Sequence, residues 1–456
     1  MSEPAASTPT TARPRAVLGA RHVVGLCVGI VIGAGIFRAP SLVAASSGSE
    51  AMFLLPWALG GLLSIIGALC YAELASAYPG AGGDYAYLQR AFGSRVAFLY
   101  AWARLVVIQT GSIALLAYVC GDYLAQVVDI GPLSSTIFAA ILVVLLTALN
   151  WLGVKQGTEA QFWLTLAEVG GLVLVVVAGL FLAPPVTADA ALASDGSGGG
   201  SELGLVMVFV LLTFGGWNEA VYLTAELPGA PRRIAALLTL SLVIVTALYL
   251  LVNYAFLQGL GLGGLRKSDA VAADLLGRAL GPAGVAVISL LVAMASLTSA
   301  NATIITGART AYALGRTVPR LRWLGRWQGA RNTPGNALLA QGAIALLLVL
   351  AGAFTRDGFA QVVEYTAPVF WAFLLLVGIA LFVLRVKDPD AERRFRVPAY
   401  PQLPALFCLT SGYLLYSSLA YTGVSALIGV AVLAVGALLL PWLKLTAIPP
   451  TPEDSA

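Results

Sequence analysis

The sequence predicts an all-α membrane protein with twelve transmembrane helices, and three observations carry that prediction. Hydrophobic residues make up 59% of the 456 residues and charged residues only 11%, where a water-soluble domain carries roughly 25%. The mean hydropathy of +0.88 agrees. So few charges do not cover a water-facing globule, which excludes a soluble enzyme. The apolar residues also gather in runs long enough for a bilayer, which needs about 20 in a helix. None of these runs alternates polar and apolar residues as a barrel strand does, so their backbone groups are satisfied inside helices.

The first 16 residues are polar, small and Pro-containing and read as a disordered cytoplasmic tail. No cleavable signal is evident, because the first apolar run continues well past the length of a signal core. A membrane domain over 17–446 follows. Its spans fall at about 17–45, 51–77, 95–126, 132–154, 158–183, 203–228, 234–260, 283–315, 335–354, 358–385, 403–423 and 425–446. Residues 447–456 form a second cytoplasmic tail. The segment 184–202 contains Asp195-Gly-Ser-Gly-Gly-Gly-Ser201 and reads as a flexible linker. Asp269 to Leu280 reads as a short helix lying over the outer mouth.

Basic residues set the orientation. With the N-terminus inside, most of the 26 lysines and arginines fall in inner segments, among them Arg13, Arg15, Arg90, Lys155, Arg320, Arg322, Arg394 and Lys444. Arg266, Lys267, Arg278 and Arg356 fall outside, and Arg38 and Arg104 lie within spans. Both termini are therefore expected in the cytoplasm of a cell whose inner membrane holds the chain. The net charge of +4 reports this topology, and no nucleic-acid partner is expected. Cys27, Cys70, Cys120 and Cys408 all sit in apolar runs, which argues against a disulfide framework. One histidine, His22, builds no metal site, and nothing calls for a cofactor.

Glycine marks where helices should break. Gly33-Ala-Gly35 places two glycines within three residues in the middle of span 1, and Gly215-Gly216 does so in span 6. Each glycine costs a helix interior roughly 1 kcal/mol relative to Ala. Interruptions in spans 1 and 6 divide the first ten spans into halves of about 17–183 and 203–385, inverted relative to one another, with two further helices over 403–446. Paired broken helices in an inverted repeat point to a midplane site. Free N–H groups at a half-helix N-terminus attract a carboxylate, and free carbonyls at the opposite end accept from an ammonium. An α-amino acid carries both groups. The alternative is that these glycines serve tight helix packing.

The residues also resemble a known family, the amino acid–polyamine–organocation transporters, and within it the L-type neutral amino-acid branch. The similarity runs from Gly25 to about Tyr421. It is carried by Gly33-Ala-Gly-Ile-Phe37, Gly60 through Leu74, Gly82-Gly-Asp-Tyr-Ala-Tyr-Leu88, Gly215-Gly-Trp-Asn218, Glu226 with Pro228 and Arg232-Arg233, Asn301 through Arg309, and Phe395-Arg-Val-Pro-Ala-Tyr-Pro401. The resemblance implies a LeuT-like five-plus-five inverted repeat and amino-acid transport by alternating access. It places the substrate carboxylate at the N–H groups of Gly33, Ala34 and Gly35. The ammonium would meet carbonyls of Val31, Leu212 and Gly215, with Asn218 lining the pocket. Leu212 stands where an aromatic gate is common, which leaves Phe214 or Trp217 to supply it. Relatives of this type pair with a heavy chain through a cysteine between spans 3 and 4; Gln126 to Leu133 has none, so no disulfide-linked heavy chain is expected.

Charged and polar residues inside the spans are functional candidates. Aligned on the family pattern, Arg104 replaces an acid in span 3 and Glu168 replaces a lysine in span 5, and the two are expected to form an intramembrane ion pair. Glu168 and Glu219 read either as proton-coupling carboxyls or as structural groups. Thr298 and Ser299 read as a possible cation site, so both proton and sodium coupling stay open. A neutral amino acid is the expected substrate. Three alternatives remain: a cationic substrate paired with Glu219, a non-transporting amino-acid sensor, and a channel, although no span shows a polar stripe. An enzyme would need a convergent nucleophile and base, which is not evident.

Overall fold

Glycine, proline and capping residues punctuate a chain that is otherwise helical. The structure, a computed structural model, is described for residues 28–29, 31–78, 83–153, 158–184, 203–218, 231–328, 331, 333–354, 358–420 and 424–442. A single 3-10 turn over Ala34–Phe37 leads into α1 (Ala39–Ala45). Helix α2 (Glu50–Ala77) opens at Ser49, whose hydroxyl accepts the Met52 N–H at 3.3 Å. Then come α3 (Gly83–Phe92), α4 (Ser94–Ala125), α5 (Ser134–Leu152) and α6 (Thr158–Val177). The second part holds α7 (Leu203–Thr213), α8 (Pro231–Lys267), α9 (Val271–Thr317), α10 (Gly335–Gly352) and α11 (Gly358–Lys387). Helices α12 (Gln402–Ala420) and α13 (Val424–Leu439) close the order.

Eight helices of the described residues are long and apolar enough to cross a membrane, and three shorter apolar ones accompany them. No strand occurs among the described residues beyond one isolated bridge, Gln328 to Thr333. The chain is a multi-pass membrane protein. Its outer surface carries large apolar side chains on many helices, including Leu55, Ile141, Val144, Leu347, Leu409 and Leu438. Water does not tolerate an apolar belt of that extent; lipid does.

Helix α4 forms the middle of the bundle. Two thirds of its most apolar window is buried, 67%, against 33% for α5 and for α12. It packs against α9, α5, α10 and α11, while α2 lies along α8 and α11 along α12. Small residues set these approaches. A Cβ on Gly111 would overlap the Thr366 hydroxyl of α11, and one on Gly121 the Ser135 carbonyl of α5.

Polar latches tie the two ends of the bundle. At the end that carries α3, Glu73 of α2 is 1% exposed and holds Arg385 of α11 through two hydrogen bonds of 2.7 Å. It also accepts the Val397 N–H at 2.7 Å. At the opposite end, which carries α1, Arg38 is 4% exposed. It reaches Asp269 at 3.1 Å and Asp122 at 3.6 Å and donates to the Ser268 carbonyl at 3.0 Å. Arg266 donates to the carbonyls of Ala44 and Ser47 at the C-terminus of α1, where a cation complements the helix dipole. The short outer helix expected over Asp269 to Leu280 begins at Val271. It ends at a kink at Gly281 (φ +68), just before Pro282. Left-handed backbone favours glycine there. The Ala272 N–H donates to the Tyr123 hydroxyl at 3.1 Å, and that hydroxyl donates to the Phe37 carbonyl at 2.9 Å. This short helix thus rests against the chain just beyond the first interruption.

Candidate functional site

Two interruptions of helical backbone border one cavity of about 560 Å³. In the first, helix ends at Val31, Ile32 bends, and Gly33 is extended (φ −93°, ψ 171°) before the 3-10 turn. The opening amides of that turn have no acceptor within it. In the second, α7 stops at Thr213, Phe214 to Gly216 form a turn, and helix resumes at Trp217. Gly216 has φ +96°, which a side chain would strain. Of the residues named from the sequence, Val31, Gly33, Gly35, Leu212, Gly215 and Asn218 line the cavity. Ala34, expected in the site, is wholly buried and is not among the lining residues. A Cβ built on Gly33 meets nothing within 4 Å; the space beside it is the cavity.

One residue that sequence reasoning missed, Tyr249 of α8, joins both interruptions. Its hydroxyl lies 3.1 Å from the Val31 carbonyl and 3.4 Å from the Thr213 carbonyl. The Val31 carbonyl also accepts the Gly33 N–H at 2.8 Å. A carbonyl has two lone pairs, so both are in use, and the expectation of a free acceptor at Val31 is corrected. The Leu212 carbonyl likewise accepts the Gly215 N–H at 3.0 Å. No local sequence signal marks Tyr249, because it acts across some 36 residues of chain on Thr213 and 218 on Val31.

The aromatic gate is corrected as well. Phe214 is 0% exposed and packs against Tyr249 and Trp57, at ring-centroid distances of 5.0 and 6.4 Å. Trp217 is buried against Tyr71 at 5.1 Å and Phe407 at 6.3 Å. Neither lines the cavity. Its aromatic wall comes instead from Phe209 and from Phe359, Phe370 and Phe373 of α11. Trp371 is buried beside Phe370, with centroids 5.0 Å apart, and is not a lining residue.

The charged wall of the cavity belongs to Arg104 and Asp84. Arg104 begins a π-helical stretch, Arg104–Ile108, inside α4; such stretches recur at functional sites. Arg104 donates to the Tyr100 hydroxyl at 3.0 Å, and Tyr100 donates to Asp84 of α3 at 2.8 Å. The expected pair of Arg104 with Glu168 does not form. Arg104 is turned toward α3, and no charged side chain of the described residues acts on the Glu168 carboxyl. Glu168 is 5% exposed, and its Oε2 makes no hydrogen bond. Its electrostatic neighbour is Tyr249. Thr298 and Ser299 do not converge. The Thr298 hydroxyl bonds the Met294 carbonyl of its own helix at 2.9 Å, while Ser299 lines the cavity. No group of three metal-ligating side chains occurs among the described residues. Glu219, with Glu226, lies outside the described residues.

The amino acid permease family model matches residues 18–441, which spans nearly all of the chain, both interruptions included. The chain belongs to the amino acid permease family. It is 31% identical over 399 residues to the b(0,+)-type amino acid transporter 1 of Mus musculus, covering 86% of this chain and 80% of the relative. It is 27% identical over 430 residues to the Serine/threonine exchanger SteT of Bacillus subtilis (strain 168), covering 92% and 95%. It is 29% identical over 439 residues to the human Large neutral amino acids transporter small subunit 2, covering 92% and 78%. Family and relatives together identify an amino acid exchanger or permease.

Proposed function

We propose that this permease carries neutral amino acids by alternating access, with the substrate held between the two interruptions. The observation that carries this reading is that the extended backbone of the first interruption and the carbonyl end of α7 border the same cavity. The Gly35 amide, at the start of the 3-10 turn, receives the carboxylate. The carbonyls of Leu212 and Thr213 at the end of α7 receive the ammonium, and the side chain points toward Leu212 and the α11 phenylalanines. A neutral side chain suits the opposite wall, because Arg104 and Asp84 are joined through Tyr100 and compensate one another. The names of the serine/threonine and large-neutral relatives support the same class.

The chain reads as twelve spans arranged as two inverted five-helix halves, about 17–183 and 203–385, followed by α12 and α13. The bias of its basic residues supports an orientation in the inner membrane of the cell with both termini, and with them the α3 end, on the cytoplasmic side. The cavity then extends from the interruptions toward Asp84 on the cytoplasmic side, and the Arg38 latch closes the other side. Purified protein in liposomes preloaded with one unlabelled L-amino acid tests the reading. External labelled serine, threonine, leucine or glutamine is expected to exchange in, with arginine and glutamate competing poorly. Absence of exchange for every amino acid offered would overturn the assignment.

A further inference from the structure

The connection between α9 and α10 is basic and carries no acid. No Asp or Glu occurs between Asp274 and Asp357, while Arg316, Arg320, Arg322, Arg326 and Arg331 follow one another closely. We infer that this connection is a docking surface for anionic phospholipid. Its arginines meet headgroup phosphates, and Trp323 and Trp327 enter the interface of the leaflet at the α3 end. The surface lies apart from the amino acid site and does not depend on which substrate is carried.

The connection is folded and pinned to its neighbours. Val318 and Leu324 are buried beneath it. Gly315 of α9 and Gly325 pass so closely that a Cβ on either would overlap the other's backbone. The Asn336 side chain of α10 donates to the Trp323 carbonyl at 2.8 Å, and the Gln328 N–H donates to the Thr333 carbonyl at 2.9 Å. Arg331 lies over Trp151 of α5, with its guanidinium carbon 3.6 Å from the ring centre. On this fixed backbone Trp323 and Trp327 each remain 45% exposed, even though Trp327 meets the Tyr312 ring edge-on at 5.3 Å. An indole has an apolar body and one N–H, which suits the boundary between hydrocarbon and water. Helix α9 begins at the α1 end and crosses the bundle to Thr317. A short connection pinned to both of its helices therefore stays at the bilayer surface, at the α3 end.

The arginines select the partner. Arg316, Arg320, Arg322 and Arg326 are exposed, and none of them makes a hydrogen bond or ion pair with the described residues. The basic run before α12 is different. There Arg385 holds Glu73, Arg394 pairs with Glu392, and Lys387 and Arg393 donate to backbone carbonyls. Membrane orientation asks only for basic residues, which both segments supply. It does not ask for two tryptophans held outward among cations that no acid answers. A phosphate accepts paired, charge-assisted hydrogen bonds from a guanidinium. Attraction to an anionic leaflet grows with each arginine in reach and is screened by salt. A second copy of this chain would bring like charge to like.

Tryptophan fluorescence of the full-length protein in phosphatidylcholine nanodiscs tests the inference. One sample includes phosphatidylglycerol brominated at shallow acyl positions, and a parallel sample includes the same mole fraction of phosphatidylcholine brominated in the same way. Bromine quenches only the indoles it reaches. Stronger quenching by phosphatidylglycerol is expected, and most of that excess is expected to vanish when Trp323→Phe and Trp327→Phe are combined. Arg320→Gln, Arg322→Gln and Arg326→Gln together are expected to abolish it. Lysine at the same three positions is expected to keep it, which separates loss of charge from loss of fold. Sodium chloride at about 0.5 M is expected to weaken it in the native protein, which reads the same attraction should the glutamine variant fail to fold. Equal quenching by the two lipids overturns the inference. So does an excess that resists salt, or one that survives in the glutamine or phenylalanine variant, because the anionic lipid is then gathered elsewhere. None of these results bears on amino acid transport, so failure here leaves the transport reading standing.

Discussion

At the scale of single residues, the cavity is specified by charge compensation and by empty space. Arg104 and Asp84 share Tyr100, so substituting either changes the charge balance of the cavity wall they line. Asp84→Asn is expected to raise competition by glutamate against a labelled neutral amino acid by tenfold or so, about 1.4 kcal/mol. Arg104→Gln is expected to do the same for arginine. Unchanged competition profiles in both variants would remove the basis for the neutral preference. Gly33 makes a complementary prediction. Its φ of −93° suits any residue, and a Cβ there meets nothing within 4 Å. Gly33→Val should therefore leave thermal stability within about 0.5 kcal/mol while abolishing binding, because the added methyls fill the substrate's space. The chemistry of these residues was visible in sequence, and their partners were not. Reversed charges at Arg104 and Glu168 suggested a mutual pair, yet Asp84 on a different helix answers Arg104. Which charge lies nearest depends on how α3 docks, and no spacing along the chain reports that.

At the scale of elements, the glycine pairs located both interruptions, because backbone entropy and missing side chains weaken a helix wherever they occur. The side-chain orientation beyond the second interruption was lost for a related reason. Phe214 and Trp217 enter as gate candidates only because the resemblance puts Leu212 at the aromatic position, and the turn at Phe214 to Gly216, with its left-handed Gly216, aims both rings away from the cavity in a way that no local spacing reports. Tyr249 escaped notice because its position becomes meaningful only where α8 crosses both interruptions. The latch between α2 and α11 carries its own prediction. Glu73 is buried and bonded to both Arg385 and the Val397 amide. Glu73→Ala leaves Arg385 without its carboxylate, at a cost of about 3 kcal/mol. A fall in the apparent Tm in detergent is expected, larger than for Glu392→Ala, whose pair with Arg394 is exposed on both sides.

At the scale of the whole molecule, the two ends are unlike. Arg38, Asp122, Asp269 and the helix beginning at Val271 close the α1 end, and the cavity reaches toward α3. A buried arginine that bridges two helices and a loop biases the molecule toward this arrangement. Arg38→Ala is expected to shift the population toward opening at the α1 end. A cysteine at Val119, which lines the cavity, in a background without the native cysteines, should then react faster with a membrane-impermeant thiol reagent added from that side. An unaltered rate would mean that the latch does not hold this end shut.

The account as a whole depends on backbone groups at two interruptions receiving the two ends of one amino acid. An experimental structure with a bound neutral amino acid measures this directly. The predicted result is a carboxylate within hydrogen-bonding distance of the Gly35 amide and an ammonium at the Leu212 and Thr213 carbonyls. A ligand bound elsewhere, or a helix running unbroken through residues 31–37, would contradict it.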